Sequence, residues 1–158
     1  MNQPRYGMAM VAIAATVVAT CAATPSWIAG ADATPLFDGS YTVTKKTAPT
    51  DPATGAGLSD QPSTWIVSSS CAFLGCLADV VSDSLTSFTM LYQGTSWTRL
   101  ATGDTGLCRG AAVPATSSAM RLVPQGGGSL TGVRTVTLRC GDASVDLSQA
   151  LTLTPSRA

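Results

Sequence analysis

The sequence predicts an all-β domain, a small antiparallel barrel or a sandwich of about eight short strands. Three observations carry this. Short runs alternate apolar residues with Thr or Ser at a period of two; Gly, Pro and Asp separate the runs; and no helix-spaced apolar pattern stands out. Sheets with one face inward and one in water read in this way.

The first strand is Gly39–Thr44, where Tyr41 and Val43 alternate with Ser and Thr. The segment 45–63, KKTAPTDPATGAGLSDQPS, has three prolines and no apolar periodicity, and is expected as a disordered, exposed Thr/Pro-rich loop. Thr64–Ser69 and Leu77–Ser82 read as two strands around a turn at Ala72–Gly75. Ser87–Tyr92, a Gln93-Gly94 turn and Thr95–Leu100 follow, with Phe88, Met90 and Tyr92 on one face. Gly103–Pro114 reads as turn-rich, and Ala119–Val123 as a short run before Pro124 and three glycines. Gly132–Cys140 is the clearest strand, Val136, Leu138 and Cys140 facing one way and Thr135, Thr137 and Arg139 the other. After Gly141-Asp142, Val145–Leu153 supplies the last strand.

Residues 1–33 are expected to be a signal peptide, and 34–158 a single domain. Arg5 precedes an apolar run from Met8 to Ala23, too short to span a bilayer, and Ala31-Asp32-Ala33 is an A-x-A cleavage site. Val18-Ala19-Thr20-Cys21 offers the alternative of a lipoprotein anchored through Cys21, although Thr20 departs from the small residue usual before that cysteine. Cys71, Cys76, Cys108 and Cys140 form an even set in an exported chain, which reads as two disulfides with three possible connectivities. Four residues separate Cys71 from Cys76, including Gly75, so the two can face one another across a short hairpin. That leaves Cys108 for Cys140. A zinc site would need a second close pair of thiols, and there is none.

Nine basic and nine acidic residues leave the chain without net charge, and charged residues are only 11% of it. This excludes the basic footprint of a nucleic-acid binder. There is no histidine, which removes the Ser-His-Asp triad and the commonest metal ligand. Asp79, Asp83, Asp142 and Asp146 are the carboxylates an Asp-dependent glycan-active enzyme would use, but Asp beside turns is also ordinary turn chemistry. They do not form a D-x-D-x-D-G calcium loop. No cofactor and no metal are expected.

The aromatic residues are the candidate ligand-binding groups. Trp65, Trp97 and Tyr92 lie in strands, where such side chains either fill a core or line a barrel mouth. Thr47, Thr50 and Thr54 in the 45–63 loop are candidate O-glycosylation acceptors, whereas no N-x-S/T sequon exists.

Phe37-x-Gly39-x-Tyr41, Trp65-x-Val67-x-Ser69-x-Cys71, Gly75-Cys76-x-Ala78-x-Val80 and the later Trp97 and Cys108 resemble small exported proteins of mycobacteria. They are also similar to extracytoplasmic segments of some mycobacterial Ser/Thr kinases. The resemblance implies a secreted or cell-wall location, two disulfides and a β fold, and carries over no catalytic residue. The expected function is a non-enzymatic β domain, monomeric and without a transmembrane segment once the signal is cleaved. It would bind a ligand or partner in the envelope, in one version a small apolar molecule or lipid. The alternatives are a structural or antigenic surface protein and the Asp-dependent enzyme.

Overall fold

The computed structural model describes residues 37–50, 52–73, 75–83, 86–101 and 103–156. The expected signal segment, its cleavage site and Cys21 lie outside them.

Among the described residues ten strands are formed: β1 Gly39–Thr47, β2 Ala56–Gly57, β3 Ser63–Ala72, β4 Gly75–Ser82, β5 Ser87–Tyr92, β6 Trp97–Ala101, β7 Thr105–Cys108, β8 Ala111–Pro124, β9 Leu130–Cys140 and β10 Ala143–Pro155. Eight pair antiparallel in the order β1-β3-β4-β5-β6-β8-β9-β10, and β10 pairs back with β1. The result is a closed up-and-down barrel, not a sandwich, and each barrel strand lies beside the one that precedes it in the chain. Closure removes the sheet edges that would otherwise invite further strands. The remaining two strands form a flap. β7 pairs with the first residues of β8, and β2 pairs with β7.

Two segments differ from the sequence expectation. The 45–63 stretch contains the end of β1 and all of β2, with Ala56 and Leu58 buried. Gly103–Pro114 holds β7 and the start of a 14-residue β8, of which only Ala119–Val123 shows an apolar signal.

An eight-stranded barrel is just wide enough for side chains to fill. At the end where β1 begins they do so. Phe37, Val43, Val80, Met90, Trp97, Leu122 and Leu153 are fully buried together there. The Phe37 ring closes this capped end, 5.2 Å from Tyr41 and 5.6 Å from Trp97 between ring centroids. At the opposite end β8, β9 and β10 run on beneath the flap, where Ala56, Leu58, Ala115, Val136, Leu138 and Leu147 form a second apolar cluster. Close packing of β9 on β8 needs Gly132, because a Cβ there would run into the backbone carbonyl of Arg121.

Cys71 is bonded to Cys76 across the β3–β4 hairpin, and Cys108 to Cys140, tying the flap to the end of β9. Loop closure entropy assigns the two bridges different weights, since their sequence separations are 5 and 32. Denaturant unfolding should show a loss of about 4 kcal/mol in the Cys108→Ser/Cys140→Ser variant and about 2 kcal/mol in Cys71→Ser/Cys76→Ser. Equal losses would contradict the chain-entropy account. Gly132→Ala should cost a further kind of stability, about 1–3 kcal/mol from overpacking, read in the same assay.

Candidate ligand-binding cleft

The period-two alternation that buries Tyr41 and Val43 continues inward to Lys45 on β1. By the same rule Arg99 follows Trp97 on β6, Arg134 precedes Val136 and Leu138 on β9, and Gln149 lies between Leu147 and Leu151 on β10. The strand pairings bring these polar residues to one level of the barrel. Gln149 faces Arg134, Arg134 faces Met120, and Met120 faces Arg99. They line a cleft of about 510 Å3 in the mouth of the barrel, between the two apolar clusters. Trp65, Phe88, Ser63, Ser82, Asp83 and Asp104 contribute the rest of its wall, with residues of the 59–62 segment at the rim.

Asp104, in the connection between β6 and β7, organises the cleft. Its carboxylate accepts from Arg134 Nη2 at 2.9 Å and from Arg99 Nη2 at 3.3 Å. The Ser118 hydroxyl donates to the same carboxylate at 2.5 Å. Burial acts to raise the Asp104 pKa and is the largest single influence. The Ser118 hydrogen bond and the two guanidiniums together outweigh it and hold the carboxyl below its ordinary range. Arg99 also lies 4.3 Å over the Phe88 ring, whose edge contact with Trp65 sets centroids 5.2 Å apart.

Lys45 makes no ion pair among the described residues. Burial, and then the charge of Arg134, hold its ammonium below the usual lysine value against the weaker pull of Asp83 and Asp60. Asp60 is itself occupied. It accepts from the Thr47 hydroxyl at 2.6 Å, from the Thr47 N–H at 2.9 Å and from the Gln149 amide at 2.9 Å, and the Thr47 hydroxyl contributes most to lowering its pKa. Gln149 Nε2 further donates to the Ser59 carbonyl at 2.9 Å, so this buried amide ties the 45–63 segment to the barrel. Three buried polar atoms of cleft-lining residues have no hydrogen-bond partner among the described residues: Ser63 Oγ, Arg134 Nε and Gln149 Oε1. Between them they offer donors and acceptors to a guest.

The aromatic residues expected at a ligand site divide. Trp65 lines the cleft, although little of it is exposed. Trp97 is fully buried at the capped end, and Tyr92 packs against it with centroids 5.1 Å apart. The four aspartates are dispersed. Asp79 and Asp146 are on outer strand faces, each accepting from a threonine hydroxyl at 2.7 Å. Asp83 accepts from the Thr64 N–H at 2.8 Å beside the cleft, and Asp142 is in the β9–β10 turn. Among the described residues no three His, Cys, Asp or Glu side chains group as a metal site would require. Sequence reasoning passed over Lys45, Arg99, Arg134 and Gln149, yet each is a polar residue on an otherwise apolar strand face, which was the available signal.

No protein-family model and no curated protein matches the chain. Among solved structures it is similar to the monomer form of the M. tuberculosis PknI sensor domain, that of a Ser/Thr kinase, with a TM-score of 0.52 and 18% sequence identity. The match covers 75% of this chain and 86% of that one. At this identity the likeness is one of fold. The resemblance to kinase extracytoplasmic segments thus has a counterpart in architecture.

A depressed carboxyl pKa adds stability above its unfolded value of about 3.9 that disappears as pH falls through the lower native value. Asp104→Asn should therefore flatten the acid side of the stability profile below about pH 4 while lowering stability at pH 7 by roughly 1–3 kcal/mol, because two partly buried guanidiniums lose their charged partner. Urea unfolding at stepped pH measures both effects.

Proposed function

We propose that the chain is an exported, non-enzymatic β-barrel domain that binds a small polar molecule in the cell envelope. The acidic group of that molecule would lie beside Lys45 and Arg134 in the mouth cleft. The observation that carries this reading is the convergence of Ser63 Oγ, Arg134 Nε and Gln149 Oε1, buried and without partners, on the same cleft as Lys45. Buried polar groups are ordinarily satisfied, so a cluster of exceptions in a concave site supports a ligand that satisfies them. An anion there would also offset the mutual repulsion of Lys45 and Arg134. Trp65 and Phe88 supply the apolar wall of the cleft.

Export is supported by the two disulfides, which persist in oxidising compartments. The sensor-domain likeness agrees with a binding role in kind, without naming a ligand. A carrier of lipid or another apolar molecule has less support, because Trp97, Phe37, Met90 and Leu122 fill the apolar half of the barrel with their own side chains. A glycan-active enzyme has less still. Glycoside hydrolysis needs two carboxylates facing one bond, whereas Asp79 and Asp146 are on the outer faces of β4 and β10, bonded to threonines.

Thermal unfolding with millimolar carboxylates and phosphates, glucuronate and glycerol phosphate among them, tests the reading. At ten times its Kd, a binder contributes about 1.4 kcal/mol and raises Tm by several degrees. Lys45→Met should abolish the shift for any acid that produces it. If uncharged sugars stabilise the protein as well as the acids do, the role given to Lys45 and Arg134 is wrong.

A further inference from the structure

We propose that Lys45 is a carbonyl-capturing amine, and that the molecule taken into the mouth cleft is a small acid that also carries an aldehyde or ketone group. This inference rests on the reading of the cleft as a binding site for an acid, and adds a reversible covalent step to it. It begins from the pair Lys45-Lys46, the only two lysines in the chain. The period of two sends these neighbours to opposite faces of β1. Lys46 is exposed on the outer face, whereas Lys45 is partly buried and lines the cleft. Their place in the sequence is the same; only the barrel makes them different.

The surroundings of Lys45 suit a nucleophile better than a plain counter-charge. It makes no ion pair among the described residues. The two carboxylates that act on it are engaged elsewhere, Asp60 by the Thr47 hydroxyl and the Gln149 amide, Asp83 by the Thr64 N–H and the Ser82 hydroxyl. Arg134 lies on β9, with only β10 between its strand and β1. Burial, and then the charge of Arg134, disfavour the ammonium of Lys45 and so raise its share of free amine. A lysine kept only to neutralise an acid would sit where its ammonium is favoured. A desolvated lysine beside a second cation is instead the arrangement that activates an amine. Arginine does not give up its proton at neutral pH, so the two roles divide: Arg134 holds the acid group and Lys45 meets the carbonyl.

In the step, the free Nζ adds to the carbonyl carbon while the C=O π pair moves onto oxygen. A proton passes from nitrogen to that oxygen, giving a carbinolamine. Loss of water from the carbinolamine leaves an imine between Nζ and the ligand carbon. One amine and one carbonyl thus give one imine and one water, with no oxidant or reductant. Ser63 Oγ, buried in the cleft wall without a hydrogen-bond partner, is the group available to donate to the carbonyl oxygen. Ser63 pairs with Val43, one inward position from Lys45 on β1. Water reverses the imine, so the adduct is a binding event and not a turnover. A simple carboxylate offers the cleft only the first contact, and a neutral aldehyde only the second.

The test incubates the full-length chain at neutral pH with glyoxylate, an acid that carries an aldehyde, and sodium cyanoborohydride, which fixes an imine as a secondary amine. Fragment mass spectrometry then assigns the adduct to Lys45 or Lys46. Lys45 should be modified at least roughly fivefold faster than Lys46 in the folded protein, and the two should react alike in urea. With acetaldehyde, which has no acid group for Arg134, the preference should shrink. Lys45→Arg keeps the cation but cannot form an imine. It should lose the cleft adduct yet still be stabilised against heat by glycolate, an acid without the carbonyl. Equal labelling of the two lysines in the folded protein, faster labelling of Lys46, or the same preference with both aldehydes would overturn the proposal. After any of these failures, the reading of the cleft as an acid site survives if glycolate stabilises the wild type, and falls as well if it does not.

Discussion

A single carboxylate decides how this barrel is arranged inside. Asp104 receives a guanidinium from β6, another from β9 and a hydroxyl from β8, and so joins three neighbouring strands through their inward side chains. Without it, Arg99 and Arg134 would be two partly desolvated like charges in one narrow mouth. With it they are held apart from the apolar residues on either side. The barrel can then keep a filled hydrophobic half and an open polar mouth in one short interior.

This clamp also explains why the mouth remains receptive. Asp104 takes up the terminal nitrogens of both arginines but leaves Arg134 Nε without a partner, and it does not pair with Lys45. Of the two carboxylates that act on Lys45, Asp60 is committed to Thr47 and Gln149, and Asp83 accepts from the Thr64 N–H. Positive charge and unpaired donors therefore persist where the wall is concave. Outside, the strands are coated with Thr and Ser, several bonded to one another or to Asp, as between Ser117 and Thr137 and between Thr137 and Asp146. A surface of hydroxyls keeps the sheet wetted with few charges.

Much of this architecture could be read from the sequence, for physical reasons that also explain what could not. The eight barrel strands are the eight runs in which apolar and hydroxyl residues alternate, because a closed barrel has an inside and an outside along its full length. β2 has two residues and β7 four, amid Gly and Pro, too short for any period to register. The first half of β8, from Ala111 to Ser118, was hidden because Ala, Ser and Thr offer little contrast between faces, and a bulge between Ala115 and Ser117 interrupts the alternation. At the cleft, Trp65 was legible as an aromatic in a strand. Lys45, Arg99, Arg134 and Gln149 were not, since a reader of patterns assigns polar residues to the solvent side. Asp104 comes from a connection with no periodicity at all, and only the closed barrel brings it to its arginines.

The account stands on the coupling between Asp104 and Arg134, and a double-mutant cycle measures it directly. Unfolding free energies of the wild type, Asp104→Asn, Arg134→Gln and the double variant should give a coupling energy of about 1–3 kcal/mol, the double variant being less impaired than the two single losses combined. Losses that simply add, with coupling near zero, would mean that the carboxylate does not hold the barrel mouth together.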